Sequence, residues 1–438
     1  MVAAGDVTPP RVAVAGALAA HLVTLGCSPE STVTLEYMPA LAPPQSLPPS
    51  DADDWIGALA GGEAFVFAGM FDGALVAYAA GGERPSVGSV AAHAGAVSAV
   101  SLWETGGGGA SSRMVVATGG HDAAVRLWRA EGSVAAGGAG GRTRSGSVSS
   151  KTGAAGASGS SMSISQVVEC GGAGGTVHAL AIAPSGDRMV AGDGAGGVTL
   201  WDASLPAGSG AGSAPAGKRA RTRSASDAGA SAAAVEARAA AAAVGKAHAD
   251  AVTGVAWLSS ASFVTGGWDH AIRVWDTDEG GAPVAVASML APKAVHALAA
   301  SPLGSLIAAA HSDACVRLWD PRGRTAADDA ATPAAATSGP RITGMRGAGS
   351  LPGTTSWLSS LAWPPTSQHH LAAACLDGSV SLWDTRALAA PLFTLSRHTD
   401  KALAVAWAAG GSLAVSGGAD KALRAAALPA DSPIFASA

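Results

Sequence analysis

Histidine, a hydroxyl residue and aspartate recur together in this sequence, a combination that could form a hydrolytic triad. The clearest set is His248, Thr265 and Asp269, with Trp275 following. In a triad, histidine takes the proton of a hydroxyl nucleophile while a carboxylate orients the ring. The same order returns twice more along the chain, once in full and once without the tryptophan. Because this pattern repeats and its aspartate sits in a turn, we predict a structural role for these residues.

The elements that carry these residues are short strands. Residues 248–276 contain three apolar runs separated by Gly, Asp and Ser, and Ile272 and Val274 alternate with Arg273 and Trp275. Such period-two runs predict an antiparallel meander. The pattern occurs seven times, and its third strand is the easiest to align: FDGALVAY, HDAAVRLW, GAGGVTLWD, WDHAIRVWD, SDACVRLWD, LDGSVSLWD and ADKALRAA.

The length of the repeat resembles that of the WD-repeat family. Asp269 and Asp313 are 44 positions apart, within the range of one WD-repeat blade. We therefore expect an all-β fold, a seven-bladed WD-repeat β-propeller over residues 53–428. In that family His, Ser or Thr, Asp and Trp form a buried relay in each blade. The resemblance implies this structural role for His93, Thr118, Asp122 and Trp128, for His248, Thr265, Asp269 and Trp275, and for His398, Ser416 and Asp420.

Several units depart from this pattern. Ala426 replaces the tryptophan of the last unit, Ala195 the aspartate of the third, and Ala309 and Ala373 the hydroxyl residues of the fifth and sixth. The sequence also lacks GxSxG, HExxH and Walker motifs, so we expect a rigid interaction platform with no enzymatic activity and no cofactor.

Low-complexity segments interrupt the repeats. The insertions at 130–165, 203–247 and 321–355 are rich in Gly, Ala, Ser and Thr, and we expect disordered loops because they offer little apolar surface to bury. Outside the propeller we expect a partial ubiquitin-like unit over 1–44, a Pro-rich linker over 45–52, and a tail over 429–438.

Composition excludes several functions. The net charge of −5 gives no general field for nucleic acid or acidic lipid. The four cysteines have no metal-ligand spacing, which favours buried free thiols in a reducing compartment. No apolar run approaches 18 residues and no signal peptide is evident, so we expect neither a membrane span nor secretion.

Segments that flank the blades closely resemble the nucleolar WD-repeat subunit of the PeBoW complex, which matures the large ribosomal subunit. They are LGCSPESTVTLEYMPALAPP, DDWIGAL, FAGMFDGALVAY, the basic run KRARTR and HTDKALAVAW. The ubiquitin-like domain of that family begins with a hairpin and a longer helix, so from the resemblance we expect only part of that domain in this sequence.

The resemblance implies a scaffold with specific partners. These are a Bop-type WD-repeat protein, a Pescadillo-type protein, the large-subunit pre-ribosome, and the AAA ATPase midasin, whose MIDAS metal binds an acid at the position of Glu30. The expected location is the nucleus, with nucleolus and nucleoplasm. Lys218, Arg219, Arg221 and Arg223 form a candidate nuclear localisation signal.

Two other functions remain open at this point. One is a Notchless-type assembly factor, which also joins a ubiquitin-like domain to a propeller but typically has eight blades. The other is a general WD-repeat adaptor, such as a ubiquitin-ligase substrate receptor.

Overall fold

The described residues form a seven-bladed ring of six four-stranded sheets and one five-stranded sheet, which confirms the predicted all-β propeller. The computed structural model describes residues 43–81, 84–104, 111–133, 161–205, 235–277, 282–321, 346–351, 356–386 and 390–429. The expected ubiquitin-like unit, apart from residues 43–44, lies outside these residues, as do Glu30 and the basic run at 218–223.

The first three blades contain thirteen of the strands. A strand that precedes blade one, β1, spans Gln45–Asp51. Blade one consists of β2 (Ile56–Gly61), β3 (Phe65–Met70), β4 (Ala74–Ala79) and β5 (Ser86–Ala91). Blade two has β6 (Val97–Glu104), β7 (Ser111–Gly120), β8 (Val125–Ser133) and β9 (Ser161–Cys170). Blade three has β10 (Val177–Ile182), β11 (Arg188–Asp193), β12 (Val198–Asp202) and β14 (Ala242–Val244). The short strand β13 (Glu236–Arg238) precedes β14 in the chain but pairs parallel with β9 and so adds a fifth strand to blade two.

The other four blades follow the same plan. Blade four has β15 (Val252–Trp257), β16 (Ser262–Gly267), β17 (Ala271–Asp276) and β18 (Val284–Leu290). Blade five has β19 (Val295–Ala300), β20 (Ile307–His311), β21 (Val316–Asp320) and β22 (Arg346–Leu351), and blade six has β23 (Leu358–Ala362), β24 (His370–Cys375), β25 (Ser379–Asp384) and β26 (Phe393–Arg397). Blade seven has β27 (Ala402–Ala408), β28 (Leu413–Gly418) and β29 (Ala422–Ala427), with a 3₁₀ turn at Ala409–Gly411.

The ring is closed by the N-terminal strand. β1 pairs antiparallel with β29 and supplies the outer strand of blade seven, in the sheet order β1-β29-β28-β27. The first strands of the blades contact one another in chain order around the axis, and β27 contacts β2. Ring closure leaves no blade without two neighbours, which protects the sheet edges of the inner strands.

A bulge shapes the inner strand of every blade. The pairing of each first strand with its second shifts register after the first residue. A bulge re-aims the side chain of its extra residue. These residues line a central cavity of about 240 Å³ and are Gly57, Ser98, His178, Thr253, His296, Ser359 and Leu403. We call them the channel residues.

The expected linker and insertions differ from the structure. Residues 45–51, predicted as a Pro-rich linker, form β1 because the edge of β29 offers a pairing partner and an edge strand tolerates proline. Strands also occupy parts of the insertions predicted as disordered. They are the ends of β8 and β9 in 130–165, β13 and β14 in 203–247, and β22 in 321–355. Each pairs with an existing strand, which local composition does not reveal.

Removal of β1 tests the closure. Deletion of residues 1–51 leaves the edge of β29 unpaired, and we expect the melting temperature to fall by at least about 5 °C, since a few kcal/mol shift it by that amount in a chain of this size. The control is deletion of residues 1–42, which keeps β1. Thermal unfolding followed by circular dichroism measures both, and equal melting temperatures would contradict the closing role.

Candidate functional site

The predicted relay of blade four is assembled in the structure. The Nδ1 atom of His248 lies 2.9 Å from Oδ1 of Asp269, and its Nε2 atom lies 2.7 Å from Oγ1 of Thr265. The indole Nε1–H of Trp275 donates to the same Thr265 oxygen over 2.8 Å. His248 precedes β15, Thr265 lies on β16, and Trp275 lies on β17. The relay therefore ties the loop before a blade to its second and third strands.

One proton arrangement satisfies the hydrogen bonds that join His248, Asp269, Thr265 and Trp275. With His248 neutral and protonated at Nδ1, it donates to the Asp269 carboxylate and accepts at Nε2 from the Thr265 hydroxyl. The Thr265 oxygen then accepts from Trp275. The second carboxylate oxygen of Asp269 accepts from the backbone N–H of Ala249 over 3.0 Å. A fully satisfied buried network of this kind rigidifies a fold, whereas one missing member leaves a costly unpaired group.

Burial sets the charge states of the relay. Desolvation lowers the pKa of His248 below its usual value, although the hydrogen bond to Asp269 acts in the opposite direction. Burial alone would raise the pKa of Asp269, but the hydrogen bonds from His248 and from backbone N–H groups lower it to about 2. At neutral pH the relay therefore holds a neutral imidazole beside a carboxylate.

An arginine that the repeat pattern did not single out completes the relay. Arg273 lies four residues after Asp269 and forms a 3.0 Å ion pair with it. The same pair occurs as Arg126 with Asp122 and as Arg424 with Asp420. Blade five, which has no relay histidine, keeps Arg317 on Asp313 at 2.6 Å. The signal was present as an arginine four positions after the turn aspartate in each of these units.

Blades two and seven repeat the geometry. In blade two, His93 lies 2.8 Å from Asp122 and 2.8 Å from Thr118, and Trp128 donates to Thr118 over 2.9 Å.

In blade seven, His398 lies 2.8 Å from both Asp420 and Ser416. The tryptophan is absent there, and Ser396 of β26 takes its place beside Ser416 at 2.8 Å. A neighbouring outer strand thus supplies the partner that Ala426 lacks.

The last residue of the second strand is a glycine in the blades that have the relay histidine. A Cβ atom added to Gly120 would lie 2.4 Å from Nδ1 of His93, and one added to Gly418 would lie 2.7 Å from Nδ1 of His398. Only glycine leaves room for the imidazole ring at that distance. Blades whose loop carries alanine at the histidine position instead have a buried side chain at the glycine position, namely Met70, Asp193 and His311.

Asp193 takes over the role of the missing aspartate in blade three. Its carboxylate accepts from the backbone N–H groups of Gly174, Ala195 and Gly197 over 2.9, 3.0 and 2.7 Å. These bonds hold the loop before the blade to the turn between its second and third strands. Ala195 at the aspartate position suggested that this blade lacks the carboxylate. The structure shows that Asp193, two residues earlier in the chain, supplies it.

Two tryptophans lack the partner that threonine gives elsewhere. The indole nitrogens of Trp319 and Trp383 are buried and have no hydrogen-bond partner among the described residues. Ala309 and Ala373 stand at the hydroxyl position of these blades. An unpaired buried donor costs about 1–3 kcal/mol, so each of these two indoles lowers the stability of its blade.

The relay cannot act as a triad. Thr265 is 0% exposed and His248 is 1% exposed, so neither reaches a substrate. Among the described residues there is no group of three or more His, Cys, Asp or Glu side chains that could hold a metal ion. Within the same residues, no helix is long and apolar enough to cross a membrane.

One face of the ring exposes several aromatic side chains. We define the upper face as the loops that precede the first strand of each blade and those that connect its second and third strands. Among the described residues of these loops, four large aromatic side chains are at least 40% exposed: Trp55, Phe71, Trp268 and Trp357. Exposed aromatic residues are enriched in protein interfaces, which makes this face the candidate functional site.

Comparisons with known proteins agree with this architecture. The family model described as WD domain, G-beta repeat matches residues 242–276, 286–320, 348–384 and 389–425. Each matched segment ends in the third strand of a blade and begins at or near the outer strand of the preceding blade. The sequence repeat is therefore offset from the blade by one strand, which is why β1 is needed to complete blade seven.

Relatives cover nearly the whole chain. A protein of Chlamydomonas reinhardtii named Ribosome biogenesis protein WDR12 homolog is 32% identical over 421 residues, which are 92% of this chain and 83% of the relative. The chain belongs to this family of WDR12 homologues. Relatives of the same name from Arabidopsis thaliana and Oryza sativa subsp. japonica are 27% and 28% identical, each over 92% of this chain and 80% of their own length.

A pair of substitutions tests the relay. Replacing Thr265 with valine removes the acceptor of Trp275 and the donor to His248, and we expect a loss of about 2 kcal/mol in unfolding free energy. Conversely, Ala373→Ser supplies a hydroxyl to the buried indole of Trp383 and should stabilise by about 1 kcal/mol. Denaturant titration measures both.

Ala374→Ser is the control for the second substitution. Ala374 is equally buried on the next position of β24. Consecutive residues of a strand face opposite sides of the sheet, so the side chain of Ala374 points away from that of Ala373. A hydroxyl at Ala374 therefore gains no indole partner and should lower the stability of the protein. Stabilisation by both serines would refute the explanation.

Proposed function

We propose that this protein is a non-enzymatic scaffold in the biogenesis of the large ribosomal subunit. The single observation that carries the proposal is the similarity to the Chlamydomonas reinhardtii WDR12 homologue, because it spans the propeller and the segments around it. The buried relays support a rigid platform, since they consume their hydroxyl, imidazole and carboxylate groups in structure. The exposed aromatics of the upper face supply contact surface.

Within this role, we place the protein as the WD-repeat subunit of a PeBoW-type complex that supports pre-rRNA processing. Its partners are a Bop-type WD-repeat protein, a Pescadillo-type protein and the large-subunit pre-ribosome. The acid at Glu30 binds the MIDAS metal of midasin in trans, which lets the ATPase release the complex. A hard divalent cation with an open position favours a carboxylate ligand, which makes this role chemically reasonable.

The seven-bladed ring bears on the alternative assembly factor. Notchless-type proteins typically have eight blades, whereas this ring has seven sheets and is closed by β1. The count therefore favours the PeBoW-type role. A general adaptor such as a ubiquitin-ligase substrate receptor has no feature of the described residues in its favour.

Affinity purification from nuclear extract tests the partners. We expect the tagged protein to recover Bop-type and Pescadillo-type proteins together with midasin. Glu30→Gln should lose midasin and keep the other two, because an amide lacks the charge that the metal ligand needs. Glu36→Gln, in the same segment, is the control and should keep all three. Recovery of ubiquitin-ligase subunits in place of these proteins would refute the assignment.

The basic run at 218–223 is proposed as the nuclear localisation signal. Its four cationic residues lie between two strands of blade three, in the insertion after β12. Deleting 218–223 from a fluorescent fusion should shift the protein from nucleus to cytoplasm. Deletion of the uncharged residues 208–213 from the same insertion is the control. Unchanged nuclear accumulation after the first deletion would contradict the signal.

A further inference from the structure

A second cavity opens at the end of the channel opposite the upper face. It measures about 360 Å³ and is lined by the ends of the first strands of blades one, two, six and seven. Its walls include Leu59, Leu102, Trp363, Val405 and Trp407, and none of the residues that line it is charged. We call this cavity the lower mouth. A largely apolar cavity of this size suits an apolar or aromatic side chain.

Trp363 of the lower mouth lacks a hydrogen bond that its counterparts make. A tryptophan stands four residues after the channel residue in blades four, six and seven, at Trp257, Trp363 and Trp407. Trp257 donates to the carbonyl of Ala181, and Trp407 to that of Ala362, each over 3.0 Å and each to the preceding blade. Trp363 is only 8% exposed, yet its indole nitrogen has no partner among the described residues. A buried donor without a partner is rare and points to an acceptor supplied by another segment.

The turn after β23 connects the lower mouth to the end of blade seven. In this turn the hydroxyl oxygen of Thr366 is also buried and has no hydrogen-bond partner among the described residues. A Cβ atom added to Gly411 of blade seven would lie 3.0 Å from that oxygen. The next residue, Ser412, accepts a backbone hydrogen bond from Leu428 over 2.8 Å. The described residues end one position later, so the segment 430–438 begins close to the lower mouth.

The segment 430–438 has the side chains and the length to reach this cavity. Its sequence is ADSPIFASA, in which Ile434 and Phe435 are the large apolar residues. In blade seven, β29 lies two strands from β27, which at about 4.8 Å per strand is a separation of about 10 Å. The six positions from Pro429 to Phe435 span about 20 Å when extended, since each residue adds about 3.3 Å. Phe435 can therefore reach the lower mouth.

We propose that the segment 430–438 folds back across the lower face and inserts Phe435 into the lower mouth. The phenyl ring packs against the aliphatic and indole side chains that line the cavity. A backbone carbonyl of the segment accepts from the indole N–H of Trp363, and the hydroxyl of Thr366 bonds a second backbone group. The segment thereby covers apolar surface that a peptide of a partner protein would otherwise enter. The inference is independent of the proposed ribosomal role.

A fluorescent peptide with the sequence of residues 430–438, added to the full-length protein, tests the insertion. Fluorescence anisotropy measures its binding. In the wild-type protein the covalently attached segment competes at an effective concentration on the order of millimolar, so we expect weak binding of the peptide. Phe435→Ala frees the lower mouth, and this variant should bind the peptide at least about tenfold more tightly. Ser437→Ala, in the same segment, is the control and should behave as the wild type.

Two further changes, made in the Phe435→Ala protein, identify the contact. Trp363→Phe removes the indole N–H but keeps an aromatic ring, and it should weaken binding of the peptide about fivefold. Trp257→Phe removes the corresponding indole of blade four, which does not line the lower mouth, and should leave binding unchanged.

Four outcomes would overturn the proposal. They are equal binding of the peptide by the wild-type and Phe435→Ala proteins, binding by neither, equal binding of a peptide with alanine in place of its phenylalanine, and an equal loss from Trp363→Phe and Trp257→Phe. The first of these would leave the lower mouth open to a partner. Recovery of ribosomal partners from nuclear extract does not depend on the peptide result, so the two proposals fail separately.

Discussion

Closure of the ring is the constraint on which the other features depend. Each blade is a twisted sheet whose two faces must be covered by its neighbours, and seven blades leave no free face only when blade seven meets blade one. The pairing of β1 with β29 stabilises that contact, because it joins the start of the propeller to its end. The bulges of the inner strands follow from the same requirement, because they aim one residue per blade at the narrow axis.

Within the closed ring, the relays distribute rigidity unevenly. Blades two, four and seven have a histidine, a hydroxyl residue, an aspartate and an arginine in mutual contact. Blades five and six have buried indole nitrogens with no partner among the described residues. Trp268, His296 and Trp357, whose rings contact one another, belong to blades four, five and six.

Blades that lack relay residues keep the fold because a side chain at another position fills the same space. The space above the glycine of the second strand must be filled either by the loop histidine or by a side chain in the glycine's place, since interiors are close-packed. Blade two uses His93 over Gly120, and blade five uses His311, whose Nδ1–H donates to the backbone carbonyl of Lys293 over 3.0 Å. Asp193 of blade three shows the same exchange for the carboxylate. A blade that lacks relay residues therefore has different polar groups at this place, but the space beside its second strand is still filled.

The sequence by itself determined the number of blades, the three inner strands of each and the histidine, hydroxyl, aspartate and tryptophan residues of the relay. These follow from period-two alternation and from spacing, which are local properties that seven copies reinforce. Only the tertiary structure decided that residues 45–51 form a strand, because their partner β29 lies at the other end of the chain. It also decided that Trp268, His296 and Trp357 contact one another, since they come from three different blades and meet only when the ring closes. Local pattern fixes secondary structure, whereas proximity between blades depends on the closed geometry of the whole ring.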